Sequence, residues 1–165
     1  MVACEFQRLM KPVNEAIQQH AFFRGMTPEH VALLSTGAKA IQLEAGSMLC
    51  REGEPAGQFF LIKSGKIALE AHEPADGTIL VQMLGAGDVV GWSWLFAPFV
   101  WHFQARVVEP ADLIVLSGAQ LLVAAERNHD FGYELMKRVV QVVIRRLQTT
   151  RKQLLSGVGQ PAAGT

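Results

Sequence analysis

The stretch Gly85-Ala-Gly-Asp-Val-Val-Gly-Trp-Ser-Trp-Leu95 carries the most information about how this chain folds. Its glycines suit corners where the backbone needs a positive φ, and its paired valines suit a short buried strand. We therefore predict a turn at Gly85–Gly87 and a strand over Val89–Leu95. The aromatic-rich segment Phe99–Val108 follows and predicts another strand.

Residues 39–116, on both sides of this stretch, alternate short apolar runs with turn signals such as Ala45-Gly46-Ser47 and Ser64-Gly65. The pattern predicts eight short strands: Lys39–Glu44, Met48–Arg51, Gln58–Lys63, Lys66–Ala71, Thr78–Leu84, Val89–Leu95, Phe99–Val108 and Leu113–Leu116. Strands spaced by about 8–12 residues are typical of an antiparallel sandwich or jelly roll.

Helical patterns flank the strands. Residues 1–38 form a predicted N-terminal helical segment, in which Thr27-Pro28-Glu29 has the composition of a helix start. Gln120–Arg127 predicts a short amphipathic helix. Asp130 is the expected cap of a long helix through Leu155, and the Gly/Ala/Pro-rich residues 156–165 predict a flexible tail.

The long helix has two apolar rows. One row steps by four and three residues, as in a coiled coil, and contains Met136, Val140, Val143, Leu147, Thr150 and Leu154. The second row contains Leu135, Val139 and Val142. We expect one row to pack on the strands and the other on a second copy of the chain, which predicts a homodimer through residues 131–155.

Composition excludes several classes of protein. The formal net charge is zero and half of the residues are hydrophobic, which argues against disorder, nucleic-acid binding and attraction to an anionic membrane. Cys4 and Cys50 have no partner pattern and are expected to be reduced thiols. With no signal core and no membrane span, the sequence predicts a cytoplasmic protein. The basic residues Arg145, Arg146, Arg151 and Lys152 are interpreted as a solvated helix face.

No catalytic or metal-binding pattern stands out. The five histidines lack metal-ligand spacing, and the chain has neither a Gly-x-Ser-x-Gly elbow nor a Walker loop. We therefore predict that the protein is not an enzyme and assign it no catalytic residue and no metal ligand.

Three segments carry a family resemblance: Arg51-Glu-Gly-Glu54, Phe59-Phe-Leu-Ile-Lys-Ser-Gly-Lys-Ile67 and Gly87-Asp-Val-Val-Gly91. In this order and spacing they resemble landmarks of the cyclic-nucleotide-binding domain of the CRP/FNR type, over roughly residues 20–155. The resemblance implies one mainly β domain. It would comprise an N-terminal helical segment (1–38), an antiparallel jelly roll (39–116), and a short helix followed by a long dimerisation helix (117–155).

The resemblance also implies a site. In the family a helical turn after the Gly-Asp segment aims backbone N–H groups at the cyclic phosphate, and here that turn is Trp92–Leu95. Trp92 replaces the usual Glu, and His102-Phe103-Gln104 is the nearest match to the segment bearing the usual Arg, whose guanidinium fork imidazole cannot reproduce. The candidate ligand-binding residues are Gly91, Trp92, Ser93, Trp94, Leu95, His102, Phe103 and Gln104.

Two alternatives remain open at this site. Strand alternation places Phe99, Trp101 and Phe103 on the core side and turns His102 and Arg106 outward. The aromatic side chains then either fill the barrel or form a stacking platform for a flat ligand. Ser93 is either a helix cap or a ligand contact.

The function predicted from these observations is a regulatory module that senses a small molecule and signals through its dimer helix. No cofactor is certain, and the candidate ligand is a cyclic nucleotide or another small planar anion. The alternative is a ligandless interaction or scaffold module with a separate protein partner. The family's transcription factors continue into a winged helix-turn-helix of on the order of 70 residues. This sequence lacks it, so we expect a stand-alone module without direct DNA or membrane contact.

Overall fold

A computed structural model describes residues 13–75 and 77–158 as strands flanked by helices. Its helices are α1 (13–19), α2 (Pro28–Ser35), α3 (Gly118–Arg127) and α4 (His129–Val158). Its strands are β1 (Lys39–Leu43), β2 (Met48–Cys50), β3 (Gln58–Glu73), β4 (Gly77–Leu84), β5 (Val89–Val90) and β6 (Gln104–Ser117), and Ser93–Leu95 form a 3₁₀ turn. The predicted mainly β jelly roll with flanking helices is confirmed. Among the described residues, no helix combines the length and apolar composition needed to cross a bilayer.

The strands are fewer than the sequence predicts, and two of them are longer, whereas the strand predicted over Val89–Leu95 ends at Val90. Gln58–Lys63 and Lys66–Ala71 are parts of the single strand β3, and Leu113–Leu116 joins β6. The two long strands pair with each other antiparallel, and register shifts between Ile62 and Ile67 bend them without ending the ladder. Bulges of this kind turn a strand through a corner. The predicted turn at Ser64-Gly65 is therefore a bend within a paired strand.

Gly65 shows why this bend needs glycine. Its φ is +91°, and a Cβ at this position would lie 2.4 Å from the carbonyl oxygen of Pro110 on β6. A side chain would therefore meet both an unfavourable backbone conformation and a steric clash.

Strand β3 separates two apolar clusters. Phe59 and Leu61 belong to a cluster that includes residues of all four helices, whereas Phe60 and Ile62 belong to a cluster inside the barrel. Successive side chains of a strand point to opposite faces, so a strand covered on both faces reads as a continuous apolar run. This explains the sequence Phe59-Phe-Leu-Ile62.

The helix termini partly follow the sequence signals. Thr27 caps α2 by accepting a hydrogen bond from the backbone N–H of His30, as predicted. The predicted cap of α4 is wrong: Asn128, not Asp130, accepts the hydrogen bond from the N–H of Phe131, because the helix already begins at His129. Residues 156–158 are helical, and the rest of the predicted tail lies outside the described residues.

The two apolar rows of α4 face different surroundings, as predicted. Leu135, Val139 and Val142 are buried in the helical cluster together with Phe131. The other row stays exposed on this chain, with Val143 39% and Leu147 67% exposed. The helix therefore packs on its own barrel with one row and presents the second row to the outside.

His20 joins the N-terminal segment to β3. Its Nε2 donates to the carbonyl oxygen of Ile62 at 3.0 Å, and its Nδ1 accepts from the backbone N–H of Phe22 at 3.2 Å. This pattern requires the neutral ring, and burial lowers the pKa of His20 below its ordinary value of 6.5 although Asp88 acts in the opposite direction.

We expect His20 to make the protein less stable in mild acid. The unfolded chain takes up a proton at higher pH than the native chain, so the free energy of unfolding should fall as the pH drops below 6.5. The slope for one proton is at most about 1.4 kcal/mol per pH unit. Urea unfolding between pH 7.5 and pH 5 measures how the free energy of unfolding changes with pH. His20→Gln keeps an amide donor and acceptor without a titration and should show a shallower slope, and equal slopes in the two proteins would contradict this assignment.

Candidate functional site

A small cavity lies between the Gly91–Ser93 segment and helix α4. Its volume is about 30 Å³, which is room for one or two water molecules. The residues around it come from five parts of the chain: Cys50 of β2, Leu69 of β3, Val90 of β5 with Gly91, Trp92 and Ser93, the loop residues Trp101, His102 and Phe103, and Arg146 of α4. The barrel and the long helix thus meet at this cavity.

Trp101 fills most of the space next to Gly91. A Cβ on Gly91, whose φ is +90°, would lie 2.5 Å from the indole ring of Trp101. The ring is 7% exposed and belongs to the barrel cluster with Phe60. Of the two alternatives for the aromatic side chains, the structure has Trp101 inside the barrel, and this is why the cavity is small.

The loop before β6 differs from the predicted strand. β6 begins only at Gln104, and Phe99 has a φ of +56° that interrupts the strand alternation. Phe99 is consequently exposed rather than core-facing, while Phe103 is half-buried at the cavity. Backbone hydrogen bonds between Trp101 and Glu54, 2.9 Å, and between Gly53 and Trp101, 2.8 Å, hold the loop against the β2–β3 connection.

Five of the eight candidate site residues line the cavity: Gly91, Trp92, Ser93, His102 and Phe103. Ser93 is buried and its side chain makes no hydrogen bond to another described residue, so it is not acting as a helix cap in this chain. The structure places the other three, Trp94, Leu95 and Gln104, away from the cavity.

Trp94 and Leu95 pack into the helical cluster instead. The indole Nε1 of Trp94 donates to the carbonyl oxygen of Gly91 at 2.8 Å, and its ring meets Phe59 edge-on with centroids 5.8 Å apart. Gly118 at the start of α3 leaves the space for this ring, since a Cβ there would lie 2.6 Å from Trp94. Trp94 therefore anchors the 3₁₀ turn to the helices.

Gln104 and Arg106 point toward Glu70. Arg106 pairs with the Glu70 carboxylate, to which Gln104 also donates at 3.1 Å. The hydrogen bond from Arg106 lowers the pKa of the 5% exposed Glu70 despite its desolvation. Arg106 is thus turned outward, as predicted, and already forms an ion pair with the carboxylate of Glu70.

Arg146 is the cavity residue that sequence analysis missed. Its guanidinium carbon lies 4.4 Å from the ring centroid of Trp92, and its Nη2 donates to the carbonyl oxygen of Val89. The prediction that this arginine belongs to a solvated face is wrong, because the buried row of α4 brings it to the barrel. The sequence does contain a signal that Arg146 lies on the packed face of α4. Leu135, Val139 and Val142 are spaced by four and three residues, and a further step of four reaches Arg146.

Two titratable side chains at the cavity are strongly affected by burial. Desolvation lowers the pKa of Arg146 to about 10, with Asp88 opposing and Arg145 adding to the shift. Burial also raises the pKa of the Cys50 thiol to about 12. A thiol with this pKa is protonated near neutral pH and is a poor nucleophile. Cys50 therefore serves as an apolar wall.

Comparisons with known proteins agree with this architecture. The model of the family described as the cyclic nucleotide-binding domain matches residues 40–128. The CRP-like cAMP-activated global transcriptional regulator of Mycobacterium tuberculosis is 23% identical over 143 residues, which are 86% of this chain and 62% of the regulator. The chain thus spans less than two thirds of that curated relative.

Two solved structures have the same fold. A cyclic nucleotide-binding domain from Methylobacillus flagellatus KT has a TM-score of 0.78 at 19% identity, covering 92% of this chain and 87% of that one. A putative cyclic nucleotide-binding protein from Geobacter metallireducens has a TM-score of 0.72 at 25% identity, covering 81% and 96%. Since the family model matches more than half of the sequence, the chain belongs to the cyclic nucleotide-binding domain family.

Proposed function

We propose that this chain is a ligand-binding regulatory module that passes the state of its cavity to the long helix α4. The observation that carries the proposal is that one cavity is lined both by Gly91–Ser93 and by Arg146 of α4. A ligand that favours one arrangement of these two elements shifts the population of that arrangement. The relative from Mycobacterium tuberculosis is named as a cAMP-activated global transcriptional regulator, which supports a regulatory role.

The output of the module is a homodimer through residues 131–155. The exposed row Met136, Val140, Val143, Leu147 and Leu154 lies on the same helix that closes the cavity. Apolar residues at this spacing pack against a second helix in a coiled-coil seam. A change in how α4 rests on the barrel then changes the geometry of the two helices in the dimer.

The ligand is a small molecule with a polar or anionic edge and a flat apolar part. Ser93 and Arg146 supply polar contacts, while Trp92 and Phe103 supply flat apolar surface. The 30 Å³ cavity is closed to a molecule of this size, so binding must displace one of the surrounding side chains.

A ligand screen tests the proposal. A panel of nucleotides, metabolites and simple anions is added to the purified protein, and both the melting temperature and tryptophan fluorescence are followed. A ligand that binds the native state raises the melting temperature by mass action. Gly91→Val, which would clash with Trp101 at the cavity wall, should abolish the fluorescence change. A panel in which no compound alters either signal would refute the sensor function.

We expect cAMP itself to bind weakly or not at all. Trp101 occupies space beside Gly91, and Arg106, the arginine of β6, is paired with Glu70. Titration calorimetry with cAMP should give no dissociation constant in the micromolar range, which corresponds to about −8 kcal/mol. A tighter constant would contradict the expectation and would show that Trp101 leaves the barrel when the nucleotide enters.

The alternative is a ligandless interaction module of the same fold with a separate protein partner. The buried ring of Trp101 is the observation that favours it, because a barrel filled by its own side chains needs no ligand. In that case the panel produces no shift, while the dimer through α4 persists.

A further inference from the structure

Among the described residues, the guanidinium of Arg146 forms no ion pair, although the charge of Asp88 acts on it from nearby. The carboxylates that form ion pairs with the described residues belong to Glu70, Glu109 and Glu134, and none of these pairs includes Arg146. Its contacts are the face of Trp92 and one carbonyl oxygen, that of Val89. A guanidinium has five N–H donors, so most of its hydrogen-bonding capacity is unused by these contacts.

The surroundings of this cation form one side of the cavity. Ser93 offers a hydroxyl without a hydrogen-bonding partner among the described residues, and the exposed His102 stands at the same cavity. The remaining wall is apolar, as Leu69 and Val90 illustrate. A desolvated cation next to a free hydroxyl in an apolar wall is the environment in which an oxyanion gains most from a charge-assisted pair.

We propose that Arg146 is the counter-ion of a small oxyanion group, a phosphate or a carboxylate, bound in the cavity against Ser93. The proposal rests on the proposed sensor function and names the chemistry that the sensor recognises. The cation comes from the dimer helix rather than from the barrel strand where the sequence resemblance places it. The planar fork of a guanidinium fits either group with two parallel hydrogen bonds.

Binding would exchange the partners of Arg146. The guanidinium leaves the Val89 carbonyl, or turns on the face of Trp92, to receive the oxyanion. Since Arg146 and the buried Val142 are one helical turn apart on α4, this exchange changes the contact of the helix with the barrel at the point where its packed row ends. Ligand recognition and helix position would then depend on the same side chain.

The test compares Arg146→Gln with Arg145→Gln. Both variants lose one positive charge from α4, but Arg145 is exposed and does not line the cavity. Sodium phosphate, sodium acetate and AMP are titrated separately at ionic strength matched with sodium chloride. Melting temperature and tryptophan fluorescence are measured, and the Nε–H signal of Arg146 is followed by NMR in the unmodified protein. Comparison of phosphate with acetate identifies the preferred oxyanion.

We expect at least one of these anions to shift the Arg146 signal and raise the melting temperature of both the unmodified protein and Arg145→Gln. Arg146→Gln should bind it about tenfold more weakly or worse, as expected for loss of a charge-assisted hydrogen bond. Arg146→Lys keeps the positive charge but loses the planar guanidinium. Its affinity for the anion should lie between that of the unmodified protein and that of Arg146→Gln. General stabilisation by salt affects all variants equally and is removed by the comparison.

Equal binding by Arg146→Gln and Arg145→Gln would overturn the assignment of Arg146. So would the absence of any response to the three anions in the unmodified protein. If another compound of the panel still binds under either result, the sensor function stands and only the oxyanion inference fails. If no compound binds at all, both fail. Circular dichroism and urea unfolding of Arg146→Gln establish that the variant is folded.

Discussion

Replacing Val143 and Leu147 together with glutamate is expected to convert the proposed dimer completely into monomer. Both side chains lie in the exposed row of α4, and the substitution places like charges opposite each other along a seam that should be apolar. Light scattering coupled to size-exclusion chromatography should show the molecular mass fall by half. Neither residue belongs to the clusters of the core, so the far-ultraviolet circular dichroism should be unchanged.

Gln141→Glu with Gln148→Glu is the matched control for this experiment. It adds the same charge to the same helix at exposed positions one residue beyond Val140 and Leu147, outside the apolar row. The control should remain dimeric. A dimer mass that persists in the Val143/Leu147 variant would rule out this interface, and loss of the dimer in the control would indicate a general charge effect.

Trp94→Ala is expected to cause a large loss of stability, because this side chain anchors the 3₁₀ turn beside the cavity to the helices. The ring is 2% exposed, packs against Phe59 and Gly118, and donates a hydrogen bond to Gly91. Truncation of a buried aromatic side chain typically costs about 3–5 kcal/mol. Urea unfolding measures the change as a lower midpoint concentration.

Phe96→Ala provides the comparison, since this neighbouring aromatic residue is 54% exposed. Surface substitutions usually change stability by about 0.5 kcal/mol or less. A loss below about 1 kcal/mol for Trp94→Ala would mean that the 3₁₀ turn is not anchored through this ring.

The sequence pattern predicts the architecture because the fold depends on local signals. Gly91 and the turns between apolar runs place the corners of the barrel, and the two rows of α4 separate the packed face from the exposed one. The strand number was harder to predict. A bend such as that at Gly65 carries the same residue types as a turn that ends a strand, and only the pairing with β6 distinguishes them.

The site could be predicted only in part. Gly91, Trp92 and Ser93 are found by their position after the Gly-Asp segment, but Trp94 looks equivalent to Trp92 in the sequence. Their different environments depend on Phe59 and on α3, which are distant along the chain. Arg146 was missed because a charged residue that continues a buried row was interpreted by its charge rather than by its place in the helix.

The buried row of α4, Leu135, Val139 and Val142, ends before the last third of the helix, so that last part moves as a lever when the helix tilts. No residue from Leu147 to Gly157 is buried in this chain, so Arg146 is the last side chain of the helix with a described tie to the barrel. At 1.5 Å per residue, the segment beyond it is about 18 Å long. A tilt of about 10° at Arg146 moves its far end by about 3 Å, which is enough to change which apolar side chains meet across the two helices of a dimer.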